Sequence, residues 1–98
     1  FIFGDLNVFP NELCARRGEQ KMELTLREVR ILTCLHRHKN QVVTRDMLFD
    51  AAWGYDYLPN SRTLDQHISR LRKVIEQDVN NPLLIRTVHG LGYRYQSS

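Results

Sequence analysis

The first two dozen residues alternate apolar and polar positions, and the period then changes to that of a helix. Leu6 and Val8 flank Asn7, and Met22 and Leu24 flank Glu23. A period of two turns one face of a strand inward. Leu13 to Arg16 reads as a further strand, with turns at Pro10-Asn11 and Arg17-Gly18-Glu19. Strands this short need a helix packed on one face. At Thr25 the pattern switches. Thr25-x-x-Glu28 is a capping box, in which the hydroxyl accepts from a free helix amide and the Glu reaches back to the cap amide. Leu26, Val29, Ile31, Leu32 and Leu35 follow at helical spacing and predict a helix near 26–38. Thr44 is placed to cap a second helix near 45–53, with Leu48, Phe49 and Ala52 inward and Gly54 just past its end. Tyr55 to Asn60 then forms a loop, and Pro59 bars helix until after it.

A third helix is predicted near 62–76, capped by Asn60 or Ser61. Leu64, Ile68, Leu71 and Ile75 lie within about 60° of one another on the helical wheel, a narrow core-facing stripe. The opposite face carries Arg62, Gln66, Ser69 and Lys73, flanked by Thr63 and Arg70, while Asp65 and Arg72 share one flank. Ile85 to Val88 and Tyr93 to Tyr95 are rich in strand-forming residues, and His89-Gly90-Leu91-Gly92 between them gives a hairpin its tight connection. The order predicts an α+β fold in one domain over 1–98: a sheet over about 1–24, three helices over 25–76 and a hairpin over 83–96.

Ninety-eight residues supply one modest core, burying roughly two-thirds of the unfolded surface. With 42% hydrophobic and 26% charged residues, the composition is that of a globular domain, and no apolar run approaches the ~18 residues of a membrane span. The chain starts at Phe1 without Met or a basic-then-apolar leader, as expected of a domain cut from a longer chain and carrying no signal peptide. Cys14 and Cys34 are too few for a disulfide scaffold and read as free thiols in a reducing cytoplasm. The net charge of +3 is unevenly placed. Residues 1–60 are neutral, and residues 61–98 hold six Lys/Arg against three Asp/Glu. A neutral platform with a basic end points to a polyanionic partner.

The basic end also has the chemistry for one. A helix with an apolar back and a front of Arg, Gln, Ser and Lys suits a DNA major groove, where Arg pairs with guanine and Gln with adenine. Helix 45–53 supplies the first half of a helix-turn-helix pair, although the 55–60 connection is longer than the ~3–4-residue turn of the simple motif. A polar helix face alone is more often only solvated. The Gly-bearing hairpin tip beside Arg86 and Arg94 shifts the balance toward a groove-contacting wing. His67 lies ~60° off the core stripe, at the core rim or within reach of a phosphate. Other chemistry has little support. Cys34 and His38 share a helix face, but no further ligand stands at zinc-finger spacing, so no metal is expected. Gly90-x-Gly92 lacks the third glycine and following helix of a dinucleotide loop. Neither a nucleophile–base pattern nor a cofactor motif is present, and no enzyme activity is expected. Trp53 reads as a helix-end aromatic closing the core rather than as half of a stacking pair with Tyr55.

Five blocks now carry a resemblance: Leu24-Thr25-Leu26-Arg27-Glu28-Val29-x-Ile31-Leu32; Val43-Thr44-Arg45-x-x-Leu48; Trp53-Gly54; Ser61-Arg62-Thr63-Leu64-Asp65-x-His67-Ile68-Ser69-Arg70-Leu71-Arg72-Lys73; and Ile85-Arg86-Thr87-Val88-x-Gly90-x-Gly92-Tyr93-Arg94-Tyr95. In order and spacing the chain resembles the OmpR/PhoB-type winged-helix effector domain, the DNA-binding half of bacterial two-component response regulators. The resemblance implies a four-stranded antiparallel N-terminal sheet, three helices and a C-terminal β-hairpin wing. It implies binding to promoter DNA, usually as a head-to-tail pair on direct repeats, with the third helix in the major groove and the wing near the minor groove. Arg62, Thr63, His67, Arg70, Arg72 and Thr87 match the family's DNA-contacting positions. The loop holding Tyr55, Asp56, Tyr57 and Leu58 matches its usual contact with RNA polymerase. A receiver domain upstream, phosphorylated on Asp by a sensor kinase, would control dimerisation, and a chain end three residues past Tyr95 fits that order. His89 stands at the wing tip where several members carry Arg, and Ser69 where some carry a second Arg, so the base preference is expected to differ from theirs. Two alternatives remain at this level: a winged helix used for protein contacts, and the DNA-binding domain of a membrane-anchored activator.

Overall fold

The computed structural model describes residues 1–54 and 61–97. Four strands open the chain: β1 (Ile2–Phe3), β2 (Leu6–Phe9), β3 (Cys14–Arg17) and β4 (Gln20–Glu23), paired antiparallel in sequential order. The register sets Val8 opposite Ala15 and Ala15 opposite Met22, so one sheet face becomes a buried apolar row. The turn predicted at Pro10-Asn11 is a 3-10 turn over Pro10–Glu12. Leu13 closes it in the left-handed region at φ 51°, which ends the turn and delays β3 by one residue.

Helix α1 (Leu26–Arg37) starts on the predicted capping box: Glu28 N donates to Thr25 Oγ1 at 3.1 Å, and Thr25 N to Glu28 Oε1 at 2.8 Å. Leu26, expected inward, is exposed, while Val29, Ile31, Leu32 and Leu35 are buried. Strand β5 (Val43–Thr44) leads directly into α2 (Arg45–Trp53), whose Met47 amide donates to Thr44 Oγ1 at 3.2 Å. Helix α3 (Ser61–Ile75) buries Leu64, Ile68, Leu71 and Ile75 completely, as its stripe predicts. Its expected cap, Asn60 or the Ser61 side chain, and the Tyr55–Leu58 loop lie outside the described residues.

The C-terminal hairpin, β6 (Arg86–Val88) and β7 (Gly92–Arg94), is not a lone pair of strands. β5 adds to it, giving a three-stranded sheet in the order β5-β7-β6, with Val43 opposite Tyr93 and Thr44 opposite Gly92. The expected hairpin wing is present, with Thr87 opposite Tyr93, and β5 extends its sheet by one strand. Val43-Thr44 is too short to show a period of two, and only its pairing with residues some fifty positions later makes it a strand. The close approach explains Gly92, because a Cβ there would collide with the Val43 carbonyl oxygen.

One core joins these layers. Polar ties hold its edges. Arg17 binds Asp5 through Nε at 2.7 Å and Nη2 at 3.1 Å, and donates through Nη2 to the Ile75 carbonyl at the end of α3 at 2.6 Å. The Arg17 guanidinium beside Asp5 holds that carboxyl below its ordinary value. Just after α3, buried Glu76 accepts from the amides of Leu83, Leu84 and Ile85 at 2.9–3.1 Å, strapping the chain that leads into β6. Tyr95 stacks on Phe3 at 4.0 Å and its hydroxyl accepts from Gly4 N at 2.8 Å, fastening the two ends of the chain together.

Candidate nucleic-acid interface

Burying the apolar stripe of α3 fixes what faces out. Arg62, Gln66, Ser69, Arg70 and Lys73 are exposed, and Thr63 is half-buried beside them. Arg70 and Lys73 pair with no carboxylate among the described residues. The hairpin stands beside this face. Its tip exposes His89, Gly90 and Leu91, closed by Leu91 N donating to the Val88 carbonyl at 3.0 Å. Leu91, 57% exposed, is a tip residue that charge-based reading passed over.

Arg72, Thr87 and His67, among the expected contact residues, are tied into the fold. Arg72 donates to the Ile85 carbonyl from Nε at 3.1 Å and Nη2 at 2.8 Å, and from Nη2 to Thr87 Oγ1 at 2.9 Å. Its guanidinium also lies 5.4 Å from the Tyr93 ring centroid. Arg72 and Thr87 thus form one unit joining α3 to β6. His67 occupies the core rim. Its Nδ1 stands 2.9 Å from the Thr63 carbonyl, which only accepts, so Nδ1 carries the proton. Its ring meets Trp53 edge-on at 4.9 Å. Trp53 closes the end of α2, with Phe49 at 5.1 Å and the Arg27 guanidinium 4.5 Å over the ring.

Residues that the sequence did not single out bind helix to wing. Asp65 Oδ1 accepts from Tyr93 Oη at 2.6 Å and from Arg45 Nη1 at 2.7 Å, and Asp65 Oδ2 accepts from Arg45 Nη2 at 3.1 Å. The Arg45 guanidinium, aided by the Tyr93 hydroxyl, holds the Asp65 carboxyl below its ordinary value. Burial, with the Asp65 carboxylate beside it, pushes the Tyr93 hydroxyl up to about 12. Partners twenty and twenty-eight residues apart leave no local signal in a sequence. At Cys34 and His38 the geometry is that of a helix end: His38 Nδ1 lies 2.9 Å from the Cys34 carbonyl, and burial pushes the Cys34 thiol up. Among the described residues no three His, Cys, Asp or Glu side chains gather in metal-holding geometry, and no helix is long and apolar enough to cross a membrane.

Two helices joined ahead of a β-hairpin, with the polar face of the second beside the hairpin tip, define a winged-helix domain. Residues 18–95 match the family described as "Transcriptional regulatory protein, C terminal", and the chain belongs to that family, of the OmpR/PhoB type. It is 42% identical over 95 residues to the alkaline phosphatase synthesis transcriptional regulatory protein PhoP of Bacillus subtilis (strain 168), a match covering 97% of this chain and 40% of that protein. Among solved structures, the Thermotoga maritima response regulator DrrB, an OmpR/PhoB homologue, superposes with a TM-score of 0.86 at 32% identity, covering 99% of this chain and 44% of that one. The DNA-binding domain of Klebsiella pneumoniae RstA, solved in complex with the RstA box, gives 0.83 at 30% identity, covering 98% and 95%. The chain therefore spans about 40% of PhoP and nearly all of the RstA domain.

Proposed function

We propose that this domain is the output domain of a two-component response regulator, binding double-stranded promoter DNA sequence-specifically to regulate transcription. α3 enters the major groove and the wing tip approaches the neighbouring minor groove. The observation that carries this reading is the α3 face: an exposed row of Arg62, Gln66, Ser69, Arg70 and Lys73 backed by a completely buried stripe. Arg70 spans a guanine edge, and Gln66 and Ser69 reach neighbouring bases. Arg62, Lys73, Thr63 and the Arg72–Thr87 unit hold the phosphate backbone, and His67 and His89 border the contact. The loop carrying Tyr55, Asp56, Tyr57 and Leu58 meets RNA polymerase. In the full protein a phosphorylated receiver domain pairs two copies head-to-tail on direct repeats, in the cytoplasm.

Selection of duplexes from a random pool, followed by fluorescence anisotropy with Arg70→Ala, tests the assignment. The substitution should cost ~1–3 kcal/mol on the selected duplex and little on a scrambled one. Equal losses on both would remove Arg70 from base reading. Failure of the wild-type domain to enrich any sequence would favour a winged helix that contacts protein.

A further inference from the structure

We propose that Asp65 is a positioning residue for DNA binding: it fixes the angle between α3 and the wing, so that helix and wing tip meet the duplex at one set spacing. The inference rests on the DNA-binding reading above. Asp65 projects from the flank of α3 rather than from its outward row. Its carboxylate takes Tyr93 Oη on one oxygen and both Nη atoms of Arg45 across the two. Tyr93 belongs to β7, the central strand of the wing sheet, and Arg45 opens α2 directly after β5. One carboxylate therefore gathers α2, α3 and β7.

A second fastening lies two turns along the same flank, where Arg72 grips the Ile85 carbonyl and Thr87 Oγ1 beside and within β6. At 1.5 Å per residue the two attachments are about 10 Å apart along the helix axis, one for each strand of the hairpin. Two separated points resist rocking of the wing where one would act as a pivot. Apolar packing holds the base of the hairpin, where Ile85 and Tyr93 are buried, but does little for its outer part, where Arg86, Thr87, His89, Gly90 and Leu91 are all exposed. The cluster opens on a cleft of about 310 Å³ between α3 and the wing, bordered by His89 and Leu91.

The charge of Asp65 separates this role from simple scaffolding. An aspartate beside a polyanion repels it, and this one is about half exposed, with Arg45 neutralising it. Asp65→Asn removes the repulsion together with the two-pronged grip on Arg45, so two readouts should move in opposite directions. Binding to a scrambled duplex should hold or tighten. Preference for the duplex selected by the wild-type domain should fall about tenfold, the scale of one lost charged hydrogen bond.

The test measures both affinities by anisotropy and maps contacts with dimethyl sulfate, which reports guanine N7 in the major groove and adenine N3 in the minor groove. Asp65→Asn should keep the guanine protection given by α3 and lose the adenine protection given by the wing. Tyr93→Phe keeps the buried ring, the Arg45–Asp65 pair and the Asp65 charge, so it should lower wing protection and preference for the selected duplex by less and leave scrambled-duplex affinity unchanged; if the Asn variant does not fold, Tyr93→Phe decides alone. Wild-type wing protection and preference in a folded variant would overturn the proposal, as would equal weakening on both duplexes. A wild-type domain that selects no sequence would overturn the DNA-binding reading itself, and this inference with it.

Discussion

Glu76 gives the sharpest stability prediction, because its burial and partners are fully accounted for. The side chain is buried and accepts from three consecutive amides, Leu83 N, Leu84 N and Ile85 N. Leu84 and Ile85 are themselves buried, whereas Leu83 is exposed and water can replace its bond. Glu76→Ala therefore orphans two buried donors at ~1–3 kcal/mol each, about 2–6 kcal/mol in all. Gln retains one acceptor oxygen and turns its NH₂ toward an amide donor, so Glu76→Gln should cost about half as much. Against the ~5–15 kcal/mol typical of a domain, the Ala variant loses a large share of its stability. Urea unfolding followed by circular dichroism checks this, with the midpoint falling and the slope unchanged. Glu76→Met separates hydrogen bonding from volume, since it fills the space without accepting; it should cost as much as Ala. A Glu76→Ala loss below ~1 kcal/mol, or a near-neutral Met, would refute the reasoning.

Three further outcomes are expected. Four to six phosphate contacts by the α3 and wing residues should give a log K against log salt slope of about −4 to −5, measured by anisotropy; a flat response would contradict the phosphate contacts. Asp5 sits below its ordinary value of 3.8 because Arg17 bonds it, so its stabilisation is complete above that pH and disappears as pH falls through the lower folded value. The Tm gap between wild type and Asp5→Asn should accordingly shrink as the medium is acidified below the ordinary carboxylate range, and a gap independent of pH would contradict the pairing. Asp56→Ala and Tyr57→Ala should change stability by no more than ~0.5 kcal/mol and leave DNA affinity intact, while lowering transcription in a reconstituted promoter assay. Full activation by both variants would assign polymerase contact to another surface.

What was legible in the sequence was local. The capping box at Thr25 and Glu28 and the stripe Leu64, Ile68, Leu71 and Ile75 are written at spacings of three and four, and the structure repeats them. The wheel also separated the outward row of α3 from Asp65 and Arg72. What it could not give was their partners. Resemblance sets Arg72 among DNA contacts, yet in the fold it grips Ile85 and Thr87 first. Strand β5 and the Asp65 cluster depend on pairing with Tyr93, far along the chain. Glu76 looks like a solvated helix-end acid until the amides of residues 83–85 fold over it. Leu26 shows the reverse case: an apolar residue at helical spacing that the first turn of α1 leaves exposed.

On the reading proposed above, the exposed row of α3 reads DNA sequence. The most direct measurement of that reading is the affinity of the wild-type domain for a selected duplex against the same duplex with three helix-contacted base pairs scrambled, at one fixed salt concentration. At ~1–3 kcal/mol per mismatched pair, the scrambled duplex should bind on the order of 10²-fold more weakly or worse. Equal affinity for the two would contradict sequence reading by α3 and leave only the nonspecific attraction of a basic surface.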